Sequence, residues 1–271
     1  MNDVPNDYLN QILCGDCVDL MKRIPNDSID LILTSPPYDD LRDYKGYHFD
    51  FQAISREILR IIKPTGVVVW VIGDRIVKGN RTLTSFKQAL AFQDIGFKVH
   101  DVMIYRKRNT PFMRSNAYTS CYEFMLILTK GKPGTFNPIY EKSAGNQCHI
   151  MRGNKGKDGV YKVIKQGQLK ENKVRSNIWE YAVGLYGTTS DKIAFKHPAV
   201  FPENLAKDHI LSWTNENDIV LDPMCGSGTT CKMAKLTNRN FIGMDISEEY
   251  CRIAQERVSK KESVSDIGGR R

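Results

Sequence analysis

The sequence predicts an α/β fold built on a doubly wound, mostly parallel sheet with a small inserted lobe. Apolar runs alternate with segments of helical periodicity at both ends of the chain, which is the pattern of parallel strands joined by crossover helices. Residues 67–72 are apolar at every position, as expected for a strand that is covered on both faces. Residues 131–178 are rich in Gly, Lys, Asn and Gln and break this pattern, so they form the predicted insertion.

The first half of the chain alternates between predicted strands and helices. Asp16 is placed to cap a short helix that runs to about residue 23. Apolar residues at helical spacing predict a second helix over 51–62, which Pro64 and Gly66 end. A third helix is predicted near 84–92. The predicted strands are 12–14, 29–33, 67–72, 98–105 and 122–128.

The second half of the chain shows the same alternation. Pro202 predicts the start of a helix that runs to about residue 211. Predicted strands at 219–221 and 241–244 are each followed by a helix, of which the second covers 248–258. The chain therefore divides into 1–130, 131–178, 179–260 and a tail, 261–271, that is predicted to be disordered.

The net charge of +8 is concentrated in one stretch. Residues 105–175 hold 15 Lys or Arg against 4 Asp or Glu, a net charge of +11, whereas the rest of the chain holds 24 against 27, a net charge of −3. Such a basic block indicates a polyanionic partner. A solvated basic loop is the alternative explanation of the same charges.

The cysteines and the N-terminal residues bear on location and metal binding. Cys14 and Cys17 have the spacing of a zinc-binding pair, but no second pair completes such a site, so no metal is expected.

Four aspartates among the first twenty residues exclude a signal peptide, and no apolar run approaches the ~20 residues that span a bilayer. The sequence therefore predicts a cytoplasmic protein with reduced thiols and no membrane partner.

A glycine turn follows the predicted strand 219–221. Its residues are Asp222, Pro223, Met224, Cys225, Gly226, Ser227, Gly228, Thr229 and Thr230. Glycines let the backbone approach a ligand, and the N-terminus of the following helix favours an anionic group. The turn lacks the lysine of a phosphate-binding loop, and Cys231 replaces the third glycine of a dinucleotide fingerprint. Because Asp222 would attract a cationic amine, the site suits a zwitterion that carries an ammonium and a carboxylate group.

Asp245 ends the next predicted strand, about 20 residues further along the chain. An acidic residue at this place typically accepts hydrogen bonds from ribose hydroxyls. A ribose joined to an amino acid describes S-adenosylmethionine, which is therefore the predicted cofactor. The alternative is a plain turn in which Asp245 caps the helix that follows.

A rigid tetrapeptide, Ser35-Pro36-Pro37-Tyr38, follows the apolar run 29–33. Its two prolines fix the backbone and remove two N–H donors. The Ser35 hydroxyl and the Pro36 carbonyl remain as acceptors beside the aromatic face of Tyr38, an arrangement that suits a planar ring bearing an NH₂ group. The alternative is a Pro-Pro pair that only ends the strand.

Together these motifs resemble those of the S-adenosylmethionine-dependent amino-methyltransferases of DNA, in the permuted order of the β group. Residues 35–38 match the catalytic tetrapeptide, and residues 222–230 match the cofactor motif, with Met224 where phenylalanine is usual. The resemblance implies a circularly permuted, Rossmann-like fold of the methyltransferase type. The strands that precede Asp222 and Asp245 should then lie beside the strand that precedes Asp16.

The resemblance also assigns roles to the segments of the chain. It makes 1–130 the catalytic half of the domain, 131–178 the target-recognition insertion and 179–260 the cofactor-binding half. The implied catalytic residues are Ser35, Pro36, Pro37 and Tyr38. The implied cofactor contacts are Asp16, Cys17, His197, Pro198, Phe201, the turn residues Asp222 to Thr230, and Asp245. The basic block and the matching motifs predict DNA contacts at Arg106, Lys107, Arg108, Asn109, Arg114, Arg152, Lys155 and Lys157.

The implied activity is methyl transfer from S-adenosylmethionine to the exocyclic N4 amine of cytosine, in a base flipped out of double-stranded DNA. In this family serine at the first tetrapeptide position is associated with cytosine and aspartate with adenine, whereas the physics of Ser35 barely separates the two bases. Methylation of adenine N6, a non-catalytic DNA-binding relative, and methylation of RNA or of a small molecule therefore stay open. A restriction endonuclease of the same specificity, and a homodimer as opposed to a monomer, also stay open.

Overall fold

The computed structural model describes residues 4–37, 49–109, 115, 117–143, 149–168 and 171–260. It confirms the predicted α/β class with a mostly parallel sheet. In chain order the elements are β1 (Gln11–Cys14), α1 (Cys17–Met21), β2 (Ile29–Thr34), α2 (Phe51–Ile61), β3 (Ile62–Ile72), β4 (Ile76–Val77), β5 (Asn80–Arg81), α3 (Thr84–Ile95), β6 (Lys98–Lys107), β7 (Tyr122–Thr129), β8 (Tyr140–Lys142), β9 (His149–Lys155), β10 (Tyr161–Gln168), β11 (Asn172–Val174), β12 (Ile178–Tyr181), a 3₁₀ helix (Lys192–Lys196), α4 (Glu203–Trp213), β13 (Ile219–Asp222), α5 (Thr229–Leu236), β14 (Asn240–Asp245) and α6 (Glu248–Ser259).

Capping side chains set the starts of the first two helices. Oδ1 of Asp16 accepts the N–H of Val18 at 2.9 Å, and Oδ1 of Asp50 accepts the N–H of Ala53 at 3.0 Å. Each carboxylate satisfies a backbone donor that has no partner within its own helix. The cap predicted at Asp16 is therefore present, although α1 ends two residues before the predicted residue 23.

Within the described residues, eight strands form one sheet in the order β1-β14-β13-β2-β3-β7-β6-β12. Neighbouring strands are parallel except that β7 runs antiparallel to both β3 and β6. The carboxyl ends of the parallel strands therefore meet along one side of the sheet, which we call the carboxyl edge. The last two strands of the chain, β13 and β14, lie between β1 and β2, as the resemblance implied.

Helices cover both faces of the sheet. The helices α1, α2 and α3 pack on one face, and α4, α5 and α6 pack on the other. Trp70 of β3 is fully buried under the first group, and its indole N–H donates to Oε1 of Gln88 in α3 at 2.8 Å. Its ring also meets Phe51 and Phe92 edge-on, which ties α2 and α3 to the centre of the sheet. Over the part of the chain that the structure describes, no helix is both long and apolar enough to cross a bilayer.

The junction between α2 and β3 differs from the prediction. The helix ends at Ile61 and the strand begins at the next residue, so Pro64 lies within a strand and does not end a helix. Pairing of β3 with β2 jumps from Ile62 to Val67, so the residues between them bulge out of the ladder. A bulge tolerates Pro64 because the missing N–H is not needed for pairing.

Pro138–Ser176 form a compact unit of their own. In it β8 pairs antiparallel with β11, and β9 pairs antiparallel with β10. The side chains of β9 and β10 lie outside the described part of the structure. The predicted disordered tail, 261–271, also lies outside the described residues.

The compact unit is narrower than the insertion predicted over 131–178. The N–H of Gly134 donates to the carbonyl of Thr65 at 2.9 Å, and the N–H of Asn137 donates to that of Ser212 at 2.8 Å. These bonds attach the chain before residue 138 to β3 of the sheet and to α4. At the other end, Ile178 begins β12, which pairs with β6 as an edge strand of that sheet.

Candidate active site

The carboxyl edge brings the sequence motifs together. Asp245 pairs with Cys14 at the ends of β14 and β1, and Asp222 ends β13 beside Gly243. On its other side β13 pairs with β2, whose last residue precedes Ser35. Adjacent strands lie ~4.8 Å apart. The predicted cofactor motif and the predicted catalytic tetrapeptide are therefore neighbours on this edge.

The glycine turn joins β13 to α5 through two residues with positive φ. Gly226 has φ of 50° and Gly228, which precedes the first turn of α5, has φ of 77°. A side chain at Gly228 would place its Cβ 2.7 Å from the Cβ of Ala254 in α6, so only glycine fits. The N–H of Cys225 donates to the carbonyl of Met244 at 2.8 Å, which fixes the turn against β14.

Two cysteines of the glycine turn region, Cys225 and Cys231, are buried. Cys225 lies against Cys231, and this contact together with burial raises the pKa of the Cys225 thiol well above its usual value. Met224, the residue that departs from the usual phenylalanine, is partly buried against the apolar core on the α1 side of the sheet. The thiol of Cys225 is therefore no nucleophile at neutral pH.

Asp222 supplies a carboxyl group that is 1% exposed. Burial raises its pKa to about 6, while the N–H of Met224 favours the charged form and opposes that rise. The Met224 N–H donates to Oδ1 of Asp222 at 3.2 Å. An ionised carboxylate that is this deeply buried attracts a cationic ligand group.

Asp245 links the turn to the end of β14. Its Oδ2 accepts the N–H of Gly226 at 2.9 Å, and its Oδ1 accepts the N–H of Ser247 at 2.9 Å. Burial raises the pKa of Asp245, and these N–H groups oppose the rise. The helix α6 is capped by Ser247, whose hydroxyl accepts the N–H of Tyr250. Asp245 is therefore not the cap of α6, which was the alternative explanation of this residue.

Asp16 and Cys17 follow β1 at the same edge. The N–H of Gly15 donates to the carbonyl of Asp245 at 2.9 Å, which holds the start of α1 next to β14. One oxygen of Asp16 is occupied as the cap of α1. Cys17 is buried, and burial followed by the charge of Asp16 raises its pKa to about 12, so its thiol stays protonated.

His197 lies directly above the glycine turn. A Cβ added to Gly226 would stand 2.8 Å from its Nε2. The ring packs edge-on against Tyr250 of α6, with centroids 4.4 Å apart, and its Nδ1 lies 2.7 Å from the carbonyl oxygen of Ala199. Pro198 is exposed and Phe201 is half-buried in the same segment.

The described part of the tetrapeptide continues directly from β2. Pro36 is buried, and Ser35 and Pro37 are half-buried. The hydroxyl of Thr230, in the first turn of α5, donates to the carbonyl of Leu33 at 3.2 Å. The end of β2 is thereby tied to the glycine turn region, whereas Tyr38 lies outside the described residues.

The basic residues at the end of β6 take part in contacts within the protein. Arg106 pairs with Glu180 at 2.7 Å, and both side chains are well exposed. Lys107 pairs with Glu123 of β7 at 2.5 Å, and both side chains are largely shielded from solvent. The Arg108 guanidinium is 62% exposed and lies 3.9 Å from the carboxylate that holds Arg106.

The side chain of Asn109 makes two hydrogen bonds to the backbone of Val183, a contact that the sequence did not predict. Its Nδ2 donates to the carbonyl of Val183, and its Oδ1 accepts the N–H of Val183, both at 2.8 Å. The side-chain amide therefore holds the segment after β12 in the manner of a strand partner. The predicted DNA contact by Asn109 would have to break this pair.

The remaining predicted DNA contacts fall outside the carboxyl edge or outside the described side chains. Arg114 lies outside the described residues. The backbones of Arg152 and Lys155 lie in β9, and Lys157 is exposed in the turn that follows. All three belong to the Pro138–Ser176 unit.

Sequence reasoning missed a group of buried charged residues behind the glycine turn. Arg257 of α6 is fully buried and contacts Glu203, Asp191 and the turn residue Ser227. The pattern of α6 held a signal for it, because Arg257 stands four residues after Ile253 on the face that packs into the core. A charge on the apolar face of a helix indicates a buried partner of opposite sign.

Comparison with known sequences identifies similar proteins over most of the chain. A family model described as DNA methylase, N6_N4_Mtase, matches residues 29–256. The orphan methyltransferase M.BamHII of Bacillus amyloliquefaciens is 50% identical over 243 residues, which cover 88% of this chain and 92% of that protein.

Solved structures with the same fold include two DNA methylases. The PvuII DNA methyltransferase (cytosine-N4-specific) matches with a TM-score of 0.68 and 20% identity, over 92% of this chain and 86% of that chain. TTHA0409 of Thermus thermophilus, a putative DNA modification methylase solved in complex with S-adenosyl-L-methionine, matches with a TM-score of 0.63 and 23% identity, over 96% and 95% of the two chains.

Proposed function

We propose that this chain, which belongs to the N6_N4_Mtase family of DNA methylases, methylates the exocyclic N4 amine of cytosine in duplex DNA, because the resemblance associates serine at the first tetrapeptide position, here Ser35, with cytosine. As a member of that family it is a site-specific DNA methyltransferase that depends on S-adenosylmethionine. The observation that carries the proposal is the position of Ser35-Pro36-Pro37, which continues β2 at the carboxyl edge beside β13 and its glycine turn.

The residues at the carboxyl edge fit S-adenosylmethionine. Asp222, with a pKa of about 6, is ionised at neutral pH and offers a counter-charge to the ammonium group. The N–H groups at the start of α5 face the same edge and suit the carboxylate group. Asp245 still has acceptor capacity for ribose hydroxyls, since each of its oxygens accepts one backbone N–H. When bound, this cofactor supplies a methyl group activated by a sulfonium.

The tetrapeptide would hold and orient the target amine. The Ser35 hydroxyl and the Pro36 carbonyl accept the two amine hydrogens, and Tyr38 stacks on the flipped base. Hydrogen bonding in this direction turns the nitrogen lone pair away from the ring and towards the methyl group. With S-adenosylmethionine bound, an N–C bond would form as the S–C bond breaks, the electron pair would stay on sulfur, and the methylated amine would release one proton to solvent water. The protein contributes position and electrostatics, so no thiol is needed as a nucleophile.

The basic residues would hold the phosphate backbone of the duplex. Arg106 and Arg108 are exposed at the carboxyl edge, where phosphates could replace Glu180 as their partner. Arg114, Arg152, Lys155 and Lys157 extend the predicted contact set. Phosphate contacts fix position and carry no sequence information, so base readout belongs to other groups of the Pro138–Ser176 unit.

One assay tests the target base. The protein is incubated with S-adenosylmethionine labelled on the methyl group and with mixed-sequence duplex DNA, and the modified nucleosides are identified by mass spectrometry. N4-methyldeoxycytidine is the expected product. N6-methyldeoxyadenosine would transfer the assignment to adenine, which presents a similar amine beside a ring nitrogen.

Further arms of that assay separate the other classes of function. Label in RNA but not in DNA would contradict a DNA substrate, and DNA binding without label would indicate a non-catalytic relative. A known active DNA methyltransferase serves as the positive control. A restriction endonuclease of the same specificity and the choice between a monomer and a homodimer stay open, and the cytoplasmic location stays a prediction.

A further inference from the structure

A cluster of buried charges packs against the glycine turn. Its members are Arg257 of α6, Lys232 of α5, Glu203 at the start of α4, and Asp191 before the 3₁₀ helix. The side chains of these four residues are 0–7% exposed. We call this group the Arg257 cluster.

Arg257 contacts the turn itself. Its Nη1 donates to the carbonyl oxygen of Ser227 at 2.6 Å, to the hydroxyl of the same residue at 3.0 Å and to the hydroxyl of Thr229 at 3.1 Å. The guanidinium therefore holds the middle of the turn and the first residue of α5 from behind. Because a peptide unit is planar and trans, the N–H of Gly228, in the same peptide unit as the Ser227 carbonyl, points away from Arg257, and it donates to the carbonyl of Cys225 at 2.7 Å.

The other nitrogens of Arg257 reach two acidic side chains. Nη2 donates to Oε1 of Glu203 at 2.8 Å, and Nε donates to Oδ2 of Asp191 at 3.2 Å. Glu203 also accepts Nζ of Lys232 at 3.0 Å and the hydroxyl of Thr189 at 2.8 Å. Only a planar guanidinium offers donors in this many fixed directions.

The two acidic residues bracket the segment that carries His197. Asp191 precedes that segment and Glu203 follows it, so the segment is attached at both ends to Arg257. Within the segment, His197 places its ring above Gly226 of the turn. Residues 192–202 therefore pass over the glycine turn, and we call this segment the strap. The guanidinium of Arg257 holds both the turn and the two ends of the strap.

The cluster is electrically balanced and costly to bury. Burial alone would raise the pKa of Asp191, but a hydrogen bond from Lys260 and the charge of Arg257 hold that pKa below its usual value. Buried ion pairs add little net stability compared with apolar side chains of the same volume. Such a network of directional hydrogen bonds fixes the relative positions of its groups, which apolar side chains would not do.

We propose that Arg257 is a positioning residue for cofactor binding, which sets the orientation of the glycine turn and its spacing from His197. Arg257 itself is fully buried, so it acts through Ser227, Thr229 and the 192–202 strap. This inference rests on the proposed role of the turn in holding S-adenosylmethionine. Arg257 would then control the affinity for S-adenosylmethionine although it contacts no atom of the cofactor.

The test compares Arg257→Lys with Arg252→Lys. Arg252 lies on the same helix but is exposed, so it is a matched control for the substitution. A lysine keeps the positive charge but cannot reach Ser227, Glu203 and Asp191 together. The dissociation constant of S-adenosylmethionine is measured by titration calorimetry without DNA, and unfolding is followed by circular dichroism. Arg257→Lys is expected to fold and to raise that constant about tenfold or more, because charged hydrogen bonds to the turn are lost.

Glu203→Gln provides an independent variant, since glutamine keeps the shape of glutamate and removes only the charge. It is expected to fold and to weaken S-adenosylmethionine binding, with a smaller effect on the KM for DNA. A folded Arg257→Lys or Glu203→Gln protein whose affinity stays within twofold of the original protein would overturn the proposal. Loss of fold in both variants would also overturn it, because the cluster would then serve folding in general. Binding is measured without DNA, so a failed assignment of the target base leaves this result unaffected.

Discussion

At the scale of single residues, two aspartates define the chemistry of the candidate cofactor site. Asp222 and Asp245 end adjacent strands, and burial raises the pKa of both. Backbone N–H groups at Met224, Gly226 and Ser247 partly compensate for the lost water. The sequence was sufficient to select both residues, because each is an acid placed at the end of an apolar run. It could not indicate their partners, since these come from neighbouring strands.

Asp222 makes cofactor binding depend on pH. Its pKa of about 6 lies above the usual value, so the carboxylate is ionised above pH 6 and is lost as the pH falls through that value. The ammonium of S-adenosylmethionine binds the ionised form, and its affinity is therefore expected to drop about tenfold between pH 7 and pH 5. Titration calorimetry at several pH values measures this.

Asp222→Asn is the control for that titration. The amide cannot ionise, so the variant is expected to bind weakly and to show a much flatter response over the same pH range. An affinity in the original protein that stays constant from pH 7 to pH 5 would refute the role of Asp222 as the counter-charge.

At the scale of the elements, the site depends on how strands end and how the chain leaves them. Most strands and helices could be predicted because apolar periodicity and capping residues are local signals. The edge strand β12, Ile178–Tyr181, escaped prediction because four residues carry little periodicity and because pairing with β6 creates it. The position of the strap, 192–202, over the turn could not be predicted either, because it depends on Arg257, which is distant in sequence.

The glycine turn requires glycine at position 226 for space as well as for backbone conformation. Gly226→Ala is expected to lower affinity for S-adenosylmethionine, because the new methyl group would stand 2.8 Å from Nε2 of His197 and push the strap or the turn aside. The positive φ adds a strain of about 1 kcal/mol. Calorimetric titration and thermal unfolding separate the two effects.

Gly79→Ala is the matched control for Gly226→Ala. Gly79 also has a positive φ, of 80°, but an added Cβ there meets nothing within 4 Å. It is expected to lower stability by about the same strain and to leave cofactor affinity unchanged. Equal affinity for the cofactor in the two variants would argue against contact between His197 and the turn.

At the scale of the whole molecule, the stretch of positive net charge is distinct from the segments that form most of the sheet. The sheet and its helices provide the carboxyl edge, while the basic excess lies in residues 105–175. The distribution of charge was visible in the sequence, and so was the class of the fold. The boundary of the Pro138–Ser176 unit was not, because residues 131–137 are loop-like in composition and are held by backbone hydrogen bonds to β3 and α4.

The basic residues of the Pro138–Ser176 unit are expected to contribute to DNA affinity through phosphates. The triple variant Arg152→Gln, Lys155→Gln and Lys157→Gln should bind duplex DNA more weakly at all salt concentrations. The slope of log affinity against log salt should decrease by about 0.9 for each phosphate contact that is lost. Fluorescence anisotropy at a series of salt concentrations measures both quantities.

A charge-matched control uses Lys22→Gln, Arg23→Gln and Lys98→Gln. The first two residues follow the end of α1 and the third begins β6, so all three lie away from the carboxyl edge. This variant removes the same net charge and is expected to leave the salt slope unchanged. If both triple variants lower the slope equally, the long-range field of the protein and not local contact governs binding.

The most direct test of the account is single-turnover methyl transfer by Ser35→Ala at saturating S-adenosylmethionine. Ser35 is proposed to contact the target amine, and the glycine turn is proposed to hold the cofactor. The variant should therefore have a cofactor affinity within about twofold of that of the original protein. Its rate of methyl transfer to cytosine should be lower by a factor of about 100 or more. Undiminished transfer by Ser35→Ala would contradict the assignment of this tetrapeptide as the catalytic site.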